Sequence, residues 1–153
     1  MADLTDTFLK FDKKISLCST ETMYLRKARK AIVKKLKTHF KEKLNLPLPV
    51  FIGQGSFSMG TIVKPLKGDY DIDIGVYLQG YSNWQSDWPK PETASNWLKT
   101  ALENHTSVAP TNKSTCVRVI YKPIQQSSDL NYHVDLPIYI QYENLLGIKY
   151  TRI

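Results

Sequence analysis

Between Tyr70 and Leu78 the chain reads Tyr-Asp-Ile-Asp-Ile-Gly-Val-Tyr-Leu, with two acids two positions apart. The alternation predicts a strand in which Tyr70, Ile72, Ile74, Val76 and Leu78 face a core, while Asp71, Asp73, Gly75 and Tyr77 face the other way. Carboxylates at i and i+2 lie roughly 6.6 Å apart along one side of a strand, so both can reach one ion. Held that close, they oppose each other's ionisation unless a cation sits between them. Oxygen-only ligation suits a hard ion, Mg²⁺ or Mn²⁺, rather than Zn²⁺. A third acid, Asp135, lies between Asn131 and Ile140, where the same parity recurs. Tyr132, Val134, Leu136, Ile138 and Ile140 make a core face there, and Asn131, His133, Asp135, Pro137 and Tyr139 the other. Three carboxylates on two such strands could hold two divalent ions about 3.5–4 Å apart, the arrangement that clamps the attacking and leaving oxygens in phosphoryl transfer.

Upstream, Gly55 and Ser56 follow a strand-like run, Val50-Phe51-Ile52, and read as a tight turn. Glycine lets a backbone approach a phosphate closely, and the Ser56 hydroxyl and nearby amides can donate to its oxygens. A Gly-Ser pair or an Asp-x-Asp alone is an ordinary structural feature; their order, and the third acid downstream, carry the chemistry. Asp69 is in phase with Asp71 and Asp73, but Gly68-Asp69 reads as the turn before the strand, which favours the 71/73 pair. Lys64 and Lys67 lie between the turn and the acids, near enough in sequence to help neutralise a triphosphate, although loop lysines are ordinarily solvated. His133 shares the face of Asp135, and a hydrogen-bonded structural role is its default reading.

The wording of these segments resembles the nucleotidyltransferases with a polymerase-beta-like core. Within them it resembles the bacterial relatives of cyclic GMP-AMP synthase, the CD-NTases, in particular the branch that makes cyclic GMP-AMP. Gln54-Gly55-Ser56-Phe57, Asp71-Ile72-Asp73 with Gly75-Val76-Tyr77, and His133-Val134-Asp135-Leu136-Pro137-Ile138-Tyr139 carry the likeness, in order, over about residues 20 to 140. It implies that Asp71, Asp73 and Asp135 are the metal-binding catalytic triad for Mg²⁺ or Mn²⁺, and that Gln54, Gly55 and Ser56 hold the triphosphate. It further implies ATP and GTP as substrates and a cyclic dinucleotide or oligonucleotide second messenger of bacterial antiphage (CBASS-type) defence as product. Family members are typically twice this length, with a helical second lobe after the third acid. The expected organisation is therefore a catalytic core over residues 1–140, with 141–153 the start of a missing lobe or a tail. Two other readings stand beside this one: a small antitoxin-like transferase that modifies a protein partner, which the length favours, and a non-catalytic fragment that binds nucleotides or polyanions.

The elements that must position these residues are also legible. Leu4, Phe8, Phe11 and Ile15 recur at helical spacing and predict a first helix on the core, started by Asp3 or Thr5. Ser19 or Thr20 is the expected cap of a longer helix whose stripe is Leu25, Ala28, Ile32, Leu36, Phe40 and Leu44, ended by Asn45, Pro47 and Pro49. Between Arg26 and Lys43 it carries nine cations and one acid, so this segment outweighs the net charge of +7 and the rest of the chain is slightly acidic. A solvated face is the ordinary reading; a surface for a nucleic-acid or protein activator is the functional one. Pro91-Glu92 opens a third helix with Ala94, Trp97, Leu98, Ala101 and Leu102 inward, after a loop holding Trp84 and Trp88, whose rings could stack on a base. Cys116 to Lys122 reads as a strand in a hairpin with the Asp135 strand, turned at Gln125 to Asp129. The fold class is α+β, a mixed sheet flanked by helices, one of them long and basic.

At 153 residues, 42% hydrophobic and 23% charged, the chain suits one globular domain. No apolar run approaches the roughly 20 residues that cross a bilayer, and the N-terminus begins no secretory signal. Cys18 and Cys116 make neither a disulfide framework nor a zinc site, so a reducing cytoplasm without membrane attachment is expected.

Overall fold

A computed structural model describes residues 4–65, 69–122, 132–143 and 149–152. Lys67, Gly68, Asn131 and the expected turn at Gln125 to Asp129 lie outside the described residues. The chain runs α1 (Thr5–Ile15), α2 (Ser19–Glu42), β1 (Val50–Gln54), α3 (Gly55–Met59), β2 (Tyr70–Tyr81), a 3-10 turn (Gln85–Asp87), α4 (Pro91–Leu102), β3 (Thr111–Asn112), β4 (Cys116–Tyr121), β5 (Tyr132–Glu143) and β6 (Lys149–Arg152). The strands form one mixed sheet in the order β1-β2-β5-β4-β3, with β6 also paired to β5. The pairing of β2 with β5 is parallel and the others are antiparallel. A parallel pair needs a long crossover, and the segment containing α4 supplies it.

The period-2 pattern sets the two faces as the sequence predicts. Ile72, Ile74, Val76 and Leu78 of β2, Val134 and Leu136 of β5, and Val117 and Val119 of β4 are buried in one core with Leu25, Ile32, Leu36 and Phe40 of α2 and Ala94, Leu98 and Leu102 of α4. Phe40 meets Trp97 edge to face, with ring centres 6.0 Å apart. The opposite face carries the acids.

Four local expectations change. The cap of α2 is Cys18, not Ser19 or Thr20: its Sγ accepts from the Glu21 N–H and its own N–H donates to Glu21 Oε2, a capping box built on a thiol. Buried Glu21 also receives Lys64 Nζ at 2.7 Å, so Lys64 is held at the start of α2. The Gly-Ser turn is the first turn of the five-residue α3. Finally, α1 buries none of its residues. It is joined to the rest through a bridge between Ser16 and Val63 and the Lys64 N–H on the Ile15 carbonyl, while α2 and α4 provide the helical part of the core. Phe8, Leu9 and Phe11 therefore face solvent, Phe8 being 67% exposed, while Ile15 at the end of the helix is half-buried. The strand bearing Asp135 runs on to Glu143, and Lys149–Arg152 pair back onto it.

The contrast between α1 and α2 is measurable. Ile32→Ala, at a position with no exposure, is expected to lower unfolding free energy by about 2–5 kcal/mol. Phe8→Ala is expected to change it by less than about 0.5 kcal/mol. Urea midpoints of both variants check this.

Candidate active site

Strand register assembles the site before any side chain is considered. Asp73 of β2 lies opposite Asp135 of β5, and Asp71 opposite His133. From one side β1 sets Gln54 opposite Asp73, and from the other β4 sets Arg118 opposite Asp135. Directly opposed residues share a face of the sheet, so Gln54, Asp73, Asp135 and Arg118 form a row across four strands. The three acids and the Gln54-Gly55-Ser56 segment singled out in the sequence thus meet on one surface.

Within it the side chains divide. Asp135 is 7% exposed, and Arg118 holds it with a two-pronged fork, Nε to Oδ1 at 2.8 Å and Nη2 to Oδ2 at 2.7 Å. Such a charge-assisted pair compensates a carboxylate withdrawn from water. His133 is buried with its Nε2 between two carboxylates, 3.7 Å from Asp71 Oδ2 and 3.6 Å from Asp135 Oδ2, and Nε2 has no hydrogen-bond partner. Ligand atoms of Asp71, His133 and Asp135 all lie within 4.8 Å of one another. A buried and a half-exposed carboxylate, Asp135 and Asp71, with an orphaned nitrogen between them fit a divalent cation, which would satisfy all three. Asp73 stands beside this cluster with its carboxylate against Gly55. Asp69 is exposed and precedes β2.

Gly55 has φ +67°, and a Cβ built there would fall on the Asp73 carboxylate, so only glycine lets the backbone lie this close. Ser56 is half-buried in the first turn of α3. The Gln54 amide is engaged at both ends, its Nε2 donating to Tyr77 Oη at 2.8 Å and its Oε1 accepting from Tyr139 Oη at 3.1 Å. The two tyrosine rings stack with centres 4.7 Å apart. A Cβ at Gly75 would lie 2.7 Å from the Gln54 amide, so that glycine makes the room for it.

Sequence reasoning missed the fork of Arg118. The available signal was parity: Arg118 alternates with buried Val117 and Val119 in a strand expected to pair with that of Asp135. The basic residues Arg26, Arg29, Lys30, Lys34 and Lys37 form one wall of a groove of about 1050 Å³ that reaches Gln54 and Asp73. Trp84 is 70% exposed; Trp88 packs against the core and donates its indole N–H to the Ser82 carbonyl. No helix among the described residues is long and apolar enough to cross a membrane.

The family model described as "Cyclic GMP-AMP synthase DncV-like, nucleotidyltransferase domain" matches residues 49–139, more than half of the chain. Among solved structures, the chain is similar to Vibrio cholerae DncV cyclic AMP-GMP synthase bound to the linear intermediate 5′ pppA(3′,5′)pG. That match has 21% identity and a TM-score of 0.60 and covers 85% of this chain and 48% of that one. It is also similar to CdnC of E. coli MS115-1 with ATP (22%, TM-score 0.61, 88% and 40%). A third is Escherichia coli DncV with 3′-deoxy GTP (18%, TM-score 0.62, 85% and 49%). The chain thus spans about half or less of these proteins' lengths.

The electrostatics give a test of the row of acids. Burial, then the like charges of Asp71 and Asp135, push the Asp73 carboxyl above its ordinary value of 3.8, against the opposite pull of His133 and Arg118. The unfolded chain releases this proton at lower pH than the folded one, so stability falls as pH rises from 3.8 through the folded value and stays reduced above it. In chelator-treated protein, Asp73→Asn is expected to raise the melting temperature at pH 7 and to lose that advantage as pH falls below 3.8, read by thermal scans across pH.

Proposed function

Because the chain belongs to the DncV-like nucleotidyltransferases of the CD-NTase family, we propose that it is the catalytic core of an enzyme that links nucleoside triphosphates into a cyclic dinucleotide or cyclic oligonucleotide. The observation that carries this reading is the in-register placement of Asp73 and Asp135 across the parallel pair, with Asp71 alongside and Gly55 against the Asp73 carboxylate. Structures of relatives holding ATP, 3′-deoxy GTP and pppA(3′,5′)pG support ATP and GTP as substrates. A second messenger for bacterial antiphage defence is the role such a product would serve.

The chain's own residues divide the work. Gly55 and Ser56 offer backbone amides and a hydroxyl to the donor triphosphate beside the acids. Gln54, held by Tyr77 and Tyr139, fixes the end of β1 so that this segment stays against Asp73. Arg118 orients the Asp135 carboxylate. Mg²⁺ or Mn²⁺ held by Asp71, Asp73 and Asp135 would neutralise phosphate charge and lower the pKa of the acceptor hydroxyl. An acceptor ribose hydroxyl oxygen bonds to the α-phosphorus, the bond to pyrophosphate breaks, and the hydroxyl proton passes by way of the carboxylates to solvent. A second round on the linear product closes the ring. The cationic groove along α2 is complementary to an anionic activator, whose binding would weaken steeply with salt.

Incubation with labelled ATP, GTP, CTP and UTP and Mg²⁺ or Mn²⁺, beside Asp71→Ala/Asp73→Ala, tests the reading. Phosphatase-resistant nucleotide product, reduced at least about 100-fold in the double variant, is the expected result. Label transferred only to a protein would instead favour a protein-modifying transferase, and nucleotide binding with no transfer under any condition a non-catalytic fragment.

A further inference from the structure

The Asp-x-Asp and third-Asp pattern leads to an oxygen-only metal site, yet the side chains arrange themselves differently. The tightest cluster of metal-binding side chains among the described residues is Asp71, His133 and Asp135, with Asp73 turned toward Gly55. His133 is 8% exposed, and its Nε2 is, among the described residues, the buried side-chain atom left without a partner. At 3.6 and 3.7 Å from the flanking carboxylate oxygens, Nε2 is too far for good hydrogen bonds to either. Ligands about 2.1 Å from a six-coordinate cation stand about 3 Å apart when adjacent and about 4.2 Å when opposite, so the observed separations fall between the two and small side-chain rotations would close the set around an ion. Buried polar atoms in folded proteins are almost always satisfied, and one that is not calls for an explanation, of which an ion or a water is the usual one. The Arg118 fork leaves room for an ion, because it takes one acceptor position on each Asp135 oxygen and a carboxylate offers about four.

We propose that His133 is a direct metal ligand through Nε2, so that this chain holds a divalent cation in a mixed site of Asp71 Oδ, His133 Nε2 and Asp135 Oδ. The inference rests on the transferase reading above: in the chain without nucleotide it puts His133 beside Asp71 and Asp135 in the metal set, with Asp73 toward Gly55. An imidazole nitrogen suits Mn²⁺ and later first-row ions, whereas Mg²⁺ takes oxygen ligands and retains water. The site therefore selects Mn²⁺ over Mg²⁺, by at least about tenfold in dissociation constant, a difference of about 1.4 kcal/mol.

Electron spin-echo spectroscopy of Mn²⁺ bound to the whole chain without nucleotide reads the ligand directly. Nitrogen-14 modulation is expected, replaced by a nitrogen-15 signature in wild-type protein grown with ¹⁵N-histidine, an experiment that needs no variant. His133→Asn and His133→Gln are expected to abolish the modulation and bring the Mn²⁺ and Mg²⁺ dissociation constants within about threefold, measured by calorimetry. Mn²⁺ that is displaced by Asp71→Asn but shows no histidine nitrogen coupling overturns the role of His133 and leaves the transferase reading intact. If wild-type protein binds no Mn²⁺, or binds it equally well in Asp71→Asn and Asp135→Asn, both this inference and the metal-dependent transferase reading fall.

Discussion

Everything at this site depends on carboxylates gathered on one face of a parallel strand pair, where burial and the neighbouring like charges both oppose the ionisation of Asp73. The fold answers with position. The other faces of β2 and β5 carry Ile72, Ile74, Val134 and Leu136, each 2% exposed or less, so the acids cannot separate without tearing the core. Repulsion that would rotate free side chains apart is carried here by strands fixed through their apolar faces.

Compensation then comes from the neighbouring strands. On one side β4 brings Arg118 across the sheet to Asp135. On the other, β1 ends in Gln54, whose amide is sandwiched by the room that Gly75 leaves and the hydroxyls of the stacked Tyr77 and Tyr139. That attachment determines where α3 begins, and so places the Gly55 backbone at the Asp73 carboxylate. The order β1-β2-β5-β4 thus puts the Gln54-Gly55 segment and the arginine at opposite ends of one row, with the acids between them.

Alternation made the two central strands readable, because a period of two with acids on one parity leaves a single way to face a core; the helices with a full apolar stripe, α2 and α4, were readable for the same reason. Periodicity says that a face is apolar and not that something covers it, which is why α1 looked like a core helix and is exposed. The Cys18 cap was hidden because a thiol is a weak acceptor beside the serine and threonine that follow it. The Arg118 fork was hidden because it depends on the register between β4 and β5, which no residue of either strand states. His133 was visible as a neighbour of Asp135 on the same face, but its orphaned nitrogen emerges only when Asp71 arrives from another strand.

The parallel pairing of β2 and β5 has a kinetic side as well. Asp73 and Asp135 are about sixty residues apart in the chain, so their juxtaposition is among the most non-local contacts of the fold and belongs to the slow end of its assembly. Hairpins such as β4 with β5 can close early, bringing Arg118 to Asp135 while β2 is still unattached. A chain in which only that hairpin had formed would hold one neutralised acid, because Asp71 and Asp73 both come from β2 and join it only when the parallel pairing forms.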